Sequence, residues 1–421
     1  MLVGIHFSRP LLFLDSAFTL LYSTTSAVQS QRDFAFIPLL IFVPLLQAVP
    51  SIMSIYPPIV ERMFHEMGRI PIAIVTPKSF DRGVYGVSAL LGAELAIKHI
   101  NARPDARMRG RKLWHQKYSE EKHSRSKLTP IKHRRKLVDD GHKFVIGHPC
   151  SDEPAYEASK LYEKEGVLMI TPSATRPLLT TRGHKLLFRA VGTDDKQASV
   201  ACDWITRNVK PSAKIAVLHD EQSYGIASAV RHGLKEKGLP VVFPEHIPSF
   251  TMDHSPTIEY LAQNEIDFVY YAGWGRELCW LLRRARDQGC NVPFMSSDAA
   301  AISQMWFAGP AAEGLVVTSP GHFNELEHRR AMTEEAMGGR ANILSPSAFF
   351  RSYAAVQVLV QGIAATGFSF DTGKIAEAIR AGTFDTTAGS LSFQPNGDLA
   401  SPEFVVQRCH WGEGGVTWSK A

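Results

Sequence analysis

From residue 70 onward, short apolar runs alternate with segments whose apolar positions recur every three or four residues. Ile70–Thr76 is such a run and predicts a strand buried on both faces. Leu90, Leu91, Leu95, Ile97 and Ile100 give Ser88–Asn101 a helical stripe. Lys112–Tyr118 predicts a second strand, and Ile131–Val138 a helix closed by Asp139-Asp140-Gly141. Phe144–Ile146, bounded by Gly147, predicts a third strand. Ser151, Asp152 and Pro154 mark a helix start, and Ala158, Leu161, Tyr162 and Glu165 keep helical spacing up to Gly166. Val167–Ile170 is the next strand and runs into the hydroxyl-rich turn Thr171-Pro172-Ser173-Ala174-Thr175; Leu186–Val191 follows as another strand.

A second series repeats the alternation. Helices are predicted over Gln197–Asn208, Ile226–Lys237, Thr257–Asn264 and Leu278–Gln288. Strands are predicted over Lys214–Leu218, Val241–Phe243, Asp267–Gly273, Pro293–Met295 and Gly314–Thr318. The final third holds a long apolar helix, Ser347–Thr366, a shorter one, Thr372–Ala381, and β segments at 390–393 and 403–409 joined by an Asn396-Gly397 turn. Repeated βα units predict an α/β protein with two doubly wound parallel-sheet lobes joined by multiple crossovers. Residues 70–193 with 321–400 form the first expected lobe; residues 194–320 with 401–421 form the second. Such lobes enclose a cleft that closes by hinge motion.

In open α/β sheets, ligands bind outside the carboxyl ends of the strands. Ser151, Ser173 and Thr175 share one such rim, where hydroxyls and a helix N-terminus suit a small anion such as a carboxylate. Tyr85, Tyr224, Trp274 and Asp298 occupy corresponding strand-to-helix positions. The inventory suits an α-amino acid: hydroxyls and N–H groups for its carboxylate, Asp298 for its ammonium, aromatic walls for an apolar side chain. Capping, turn and core roles are the alternative at each position taken singly.

Catalytic signatures are missing. There is no G-x-G-x-x-G, Walker A lysine, G-x-S-x-G or H-E-x-x-H pattern. His148 and Cys150 alternate on an extended segment but lack an orienting acid. The chain is therefore not expected to be an enzyme, and no cofactor or metal is expected. The five cysteines are odd in number and form no C-x-x-C, which indicates neither a disulfide framework nor a zinc site.

Charge changes the picture in one place. Residues 101–136 hold 13 Lys+Arg against 3 Asp+Glu, so a chain of net +5 is mildly acidic elsewhere. Without aromatic residues beyond Trp114 and Tyr118 among these charges, nucleic-acid binding is not expected. Residues 1–69 lie outside the α/β pattern. The run at 11–22 is broken by Asp15, and that at 34–48 carries Pro38 and Pro44, so neither is a clean membrane span. Arg32 before the second run resembles the start of an export signal, although Pro50 interrupts the cleavage region. An unusual export signal, a membrane anchor and an upstream extension from a wrong start are the competing readings, and export with a misread or altered start is favoured.

Six stretches carry a family resemblance: VYG…GAELAIKHIN (84–101), DDGHKFVIGHPCS (139–151), YEKEGVLMITPSAT (162–175), VKPSAKIAVLHDEQSYG (209–225), NEIDFVYYAGW (264–274) and AAEGLVVTSP (311–320). Through them residues 70–421 resemble the branched-chain amino-acid (Leu/Ile/Val) binding proteins of bacterial ABC transporters, with the type I periplasmic-binding-protein fold. The resemblance implies a periplasmic monomer that binds an amino acid and serves an inner-membrane permease and its ATPase. It implies that Ser151 and Thr175 bind the α-carboxylate. The Ser173 carbonyl, Thr175 and Asp298 would bind the ammonium. Tyr85, Pro149, Tyr224 and Trp274, joined by Phe349 or Phe350, would form the side-chain pocket.

The sequence departs from the family at several of these places. The family usually has Glu where Asp298 stands, Leu where Pro149 stands and a smaller aromatic where Trp274 stands. Small hydroxyl residues usually follow Ser151, where this chain has Asp152-Glu153. The family often pairs a cysteine at Cys150 with one in the loop after the second strand; Ser119–Arg135 contains none. A compensated reading-frame change in that loop would account for both its charge and its missing cysteine. A cytoplasmic amide- or amino-acid-sensing regulator of the same fold, an NAD-type enzyme and a degenerate non-binding relative stand as alternatives.

Overall fold

The computed structural model describes residues 68–77, 83–103, 108–120, 135–151, 153–248, 251, 253–301, 303–321, 327–338 and 345–421. All lie within one compact unit, Met53–Ala421. The export-signal region and the interior of the basic loop fall outside the described residues, as does Asp152.

Two sheets organise the chain. The first is wholly parallel, in the order β2-β1-β3-β4-β5. Its strands are β1 (Arg69–Pro77), β2 (Lys112–Glu120), β3 (Phe144–Ile146), β4 (Leu168–Thr171) and β5 (Leu187–Arg189). The second contains β6 (Ile215–His219), β7 (Val241–His246), β8 (Phe268–Ala272), β9 (Phe294–Ser296) and β10 (Val316–Ser319). After the small hairpin β11 (Thr383–Thr386) and β12 (Gly389–Ser392), the chain returns to add β13 (Val405–Gly412) and β14 (Gly415–Lys420). The order is β14-β13-β10-β9-β8-β6-β7, with β13 antiparallel to β10 and β14 antiparallel to β13. The parallel core of each sheet follows the expected alternation.

Helices cover the sheets: α1 (Gly83–Ala102), α2 (Glu153–Glu165), α3 (Asp194–Asn208), α4 (Tyr224–Glu236), α5 (Ser255–Gln263), α6 (Gly275–Asp287), α7 (Glu327–Met337), α8 (Pro346–Ala365) and α9 (Thr372–Ala381). Their ends follow local chemistry. Ser345 caps α8 through the Ala348 N–H with Pro346 at the first helical position, and Asp371 caps α9. Gly166, at φ 67°, ends α2 in the left-handed region. None of the described helices is long and apolar enough to cross a membrane.

Two expectations need correction. The segments at 390–393 and 403–409 are not partners. The first pairs with β11 and the second enters the seven-stranded sheet; the Asn396-Gly397 turn closes only the Phe393–Leu399 bridge. α1 begins five residues before Ser88, so Tyr85 lies inside a helix. The basic window also divides. Residues 112–120 of it are a true strand, paired from Arg69 opposite Lys112 to Pro77 opposite Glu120. Lys117 and His115 meet Glu94 at 2.7 and 3.0 Å. Of the expected helix at 131–138, residues 135–138 are helical, the helix running on to 139, and residues 131–134 lie outside the described residues.

In the first lobe α1 and α8 pack on the sheet around Ile70, Ile72, Ile74, Phe349 and Phe350. They approach so closely that a Cβ at Gly92 would sit 2.1 Å from the Phe349 carbonyl oxygen. Three crossovers join the lobes, and α8 holds two of them. The buried Arg351 donates from Nη1 to Ala190 O at 2.5 Å and from Nη2 to Pro320 O at 3.1 Å. Gly192 of the first crossover lies against Pro402 and Phe404 of the third. Substituting Gly92→Ala forces α1 off α8 and should lower the urea midpoint by the equivalent of about 1–3 kcal/mol. An unchanged midpoint would contradict this packing.

Candidate functional site

The site begins with two turns stapled at the ends of β3 and β4. Gly147, at φ 135°, lets the backbone pass Val75, where a Cβ would lie 2.4 Å from the carbonyl oxygen. Beyond it, Thr171 Oγ1 donates to His148 O and Ser173 Oγ to Pro149 O, both at 2.7 Å. The Arg176 N–H donates to Ser151 Oγ at 2.9 Å. Ser151, Pro149 and Ser173 are thus brought together. The Ser173 hydroxyl proton is engaged, and Ser151 Oγ acts as an acceptor.

One residue that sequence reasoning passed over fixes this rim. Arg189, on β5, is fully buried. Its Nη1 donates to Ala174 O at 2.7 Å and Arg176 O at 3.0 Å; its Nη2 donates to Thr180 Oγ1 at 2.7 Å. Its Nε pairs with Asp398 Oδ1 at 2.8 Å. The signal was present in the sequence: a lone cation inside the apolar stretch Leu187-Phe188-Arg189-Ala190-Val191.

Thr175 leads toward the second lobe. Its carbonyl accepts from the N–H of Asp194, the first residue of α3, at 2.9 Å, and its hydroxyl bonds the Asp194 carboxylate. On the same helix Gln197 Nε2 donates to Asp298 Oδ1 at 2.9 Å. Asp298 opens a short 3-10 turn after β9, and its carbonyl accepts from Tyr85 OH at 2.6 Å. Tyr85 also meets Trp274 edge to face, with centroids 5.8 Å apart. Arg176 Nη2 reaches Gln222 O at 2.9 Å. The contacts of Tyr85 with Asp298 and Trp274, and of Arg176 with Gln222, therefore run from the first lobe to the second.

A model of the family described as "Periplasmic binding protein" matches residues 69–412. The chain belongs to the periplasmic binding protein family. Its relatives include the Leu/Ile/Val/Thr-binding protein of Salmonella typhimurium, 38% identical over 81% of this chain and 91% of that protein. A solved leucine binding protein from Thermotoga maritima superposes with a TM-score of 0.70 at 22% identity, covering 83% of this chain and 97% of that one. A solute binding protein from R. palustris in complex with 4-hydroxybenzoate has a TM-score of 0.73 at 15% identity, covering 84% and 96%. The two solved structures share the fold.

Within this periplasmic binding protein, the expected pocket residues do not all meet. Tyr224 is 55% exposed and stands edge-on to His219, centroids 5.5 Å apart, at the rim of the second lobe. Phe349 and Phe350 belong to the first lobe's core; the α8 residue beside Tyr85 and Trp274 is Ala348. The reason is helical phase, because Ala348 faces the cleft while its two successors turn inward. The sequence places Gln197 at the start of a helix and Asp194 only at the start of the second series; the structure sets both in the first turn of α3, Asp194 bonded to Thr175 and Gln197 to Asp298.

Electrostatics sharpen the picture. Burial pushes the Asp298 carboxyl up to about 6; the Gln197 hydrogen bond opposes the shift and the Asp194 charge adds to it. Burial also raises Asp194, against the Thr175 hydrogen bond and the Arg189 and Arg176 charges. A folded-state pKa above the ordinary value of 3.8 means that the folded chain holds its proton longer than the unfolded chain. Stability from this group is therefore present at low pH and lost as pH rises through about 6. Thermal melts from pH 4.5 to 7.5 should fall more steeply for wild type than for Asp298→Asn; parallel curves would contradict the assignment.

Proposed function

We propose that this chain is the solute-binding component of an amino-acid ABC transport system and holds a branched-chain or similar small apolar amino acid between its lobes. The observation that carries the reading is the pair of polar links between the lobes, Thr175 with Asp194 on α3 and, one turn later, Gln197 with Asp298, next to the stapled turns of Ser151 and Ser173 and the ring pair Tyr85 and Trp274. The 38% identical Salmonella relative, a Leu/Ile/Val/Thr-binding protein, supports the ligand class.

In this reading Ser151 and Thr175 take the α-carboxylate. The Ser173 carbonyl and Thr175 take the α-ammonium, and ionised Asp298 balances its charge. Tyr85, Pro149 and Trp274 bound the side chain, with Tyr224 closing the rim. No bond is broken; the chain works by affinity and hinge closure. The Tyr85–Asp298 and Arg176–Gln222 contacts hold the lobes together around the ligand. The loaded protein, a monomer on the outer side of the membrane, delivers its cargo to a permease driven by an ATPase. The sensing-regulator alternative is not favoured, since the relatives' names are those of binding proteins.

Calorimetric titration with the twenty amino acids tests this. Leucine, isoleucine or valine should give saturable heat, and no heat with any amino acid would sink the reading. Asp298→Ala removes a buried counter-charge and should weaken the ligand by roughly 30- to 100-fold, about 2–3 kcal/mol. Asp152→Ala should do far less, and equal effects would mean the cleft is misassigned. Affinity for the ammonium should rise with pH as Asp298 ionises near 6; a flat profile from pH 5 to 7.5 would contradict that role.

A further inference from the structure

Gln197 stands out among the buried groups of the second lobe. Its exposure is 0%, its Nε2 is engaged by Asp298 Oδ1 at 2.9 Å, and its Oε1 has no hydrogen-bond partner among the described residues. An ionised carboxylate only accepts, so it takes the amide by its nitrogen and leaves the oxygen without a partner. The result is a buried acceptor that the fold leaves open beside a carboxylate. Gln197 also lies one turn after Asp194, so both share a helix face. That face is bracketed by the Thr175 hydroxyl at one end and Asp298 at the other.

We propose that Gln197 is a specificity-determining residue that makes this cleft select ligands bearing an α-ammonium over carboxylates that lack one. The proposal rests on the amino-acid reading given above and deepens it. A primary ammonium has three donors and no acceptor. It satisfies the open Gln197 oxygen and an Asp298 oxygen together, since the two side chains are hydrogen-bonded neighbours. A ligand with a carboxylate but no ammonium brings only acceptors, leaves the Gln197 oxygen buried and open, and meets Asp194 and Asp298 with like charge. Selection of this kind is a property of these residues and not of the fold, since a protein of the same fold is found with 4-hydroxybenzoate. Gln197 also completes the ammonium site around the short arm of Asp298. By holding one carboxylate oxygen, it fixes which way the other faces.

Leucine and 4-methylpentanoate differ only by the ammonium and make a matched pair of probes. Each is titrated at pH 7.5 into the full chain and into its Gln197→Met and Gln197→Glu variants, with melting curves recorded for all three proteins. Wild type should prefer leucine by roughly 100-fold or more. Gln197→Met removes both amide groups at similar volume. It should weaken leucine by about tenfold or more and leave 4-methylpentanoate within about twofold. Gln197→Glu, held protonated by the adjoining Asp298 carboxylate, keeps both a donor to Asp298 and an acceptor and should hold leucine within about threefold of wild type. A purely structural role would lower both ligands together. Equal losses for both probes in Gln197→Met, or a leucine loss in Gln197→Glu as large as in Gln197→Met, would overturn the proposal. Should wild type bind neither probe, the amino-acid reading itself fails and the proposal with it.

Discussion

A guanidinium with no exposure to solvent is tolerated only where every side of it finds an acceptor. Arg189 meets that condition with Ala174 O, Arg176 O, Thr180 Oγ1 and Asp398 Oδ1. Three of these lie on the segment after β4 and the fourth comes from a turn more than two hundred residues further on. One buried cation thus sets the path of residues 174–180 and ties it to the return of the chain toward the second lobe. Losing Asp398 alone would strand the charge at about 3–5 kcal/mol, a large share of a typical folding stability. The rim that presents Ser173 and Thr175 is held by this buried cation together with the hydroxyl bonds of Thr171 and Ser173.

The second constraint is at the crossovers. Arg351 clamps the backbones of two of them, and Gly192 lets the first run against Pro402 and Phe404 of the third. The lobes therefore share a pivot of restrained backbone, and the groups that meet across the cleft, Tyr85 with Asp298 and Arg176 with Gln222, lie outside it. A hinge with a stiff pivot and polar contacts on its closing faces converts small rotations into formation or loss of those contacts.

Much of this was legible in the chain. Strands such as Phe144–Ile146 and Phe268–Ala272 are buried on both faces, so they read as unbroken apolar runs. Their ends locate Ser151, Ser173, Thr175, Trp274 and Asp298 without any knowledge of tertiary contacts. What was hidden is non-local. Asp398 lies beside a turn that looks like an ordinary hairpin, and its partner Arg189 is distant in sequence. The return of β13 to the second sheet depends on a pairing with β10 that no local pattern announces. Asp194 and Gln197 resemble routine first-turn residues, and only the approach of α3 to Asp298 gives them another meaning. Phe349 and Phe350 illustrate the opposite error, since aromatic character near a cleft does not decide which face of a helix looks into it.

In the proposed binding mode the turn held by Arg189 takes the ligand's carboxylate and shares its ammonium with Asp298 of the opposite lobe. The direct measurement is a crystal structure of the chain grown with leucine. It should place the ammonium within hydrogen-bond reach of the Ser173 carbonyl, Thr175 and Asp298, with the carboxylate at Ser151 and Thr175. Leucine seated elsewhere, or with its ammonium turned away from Asp298, would contradict the account.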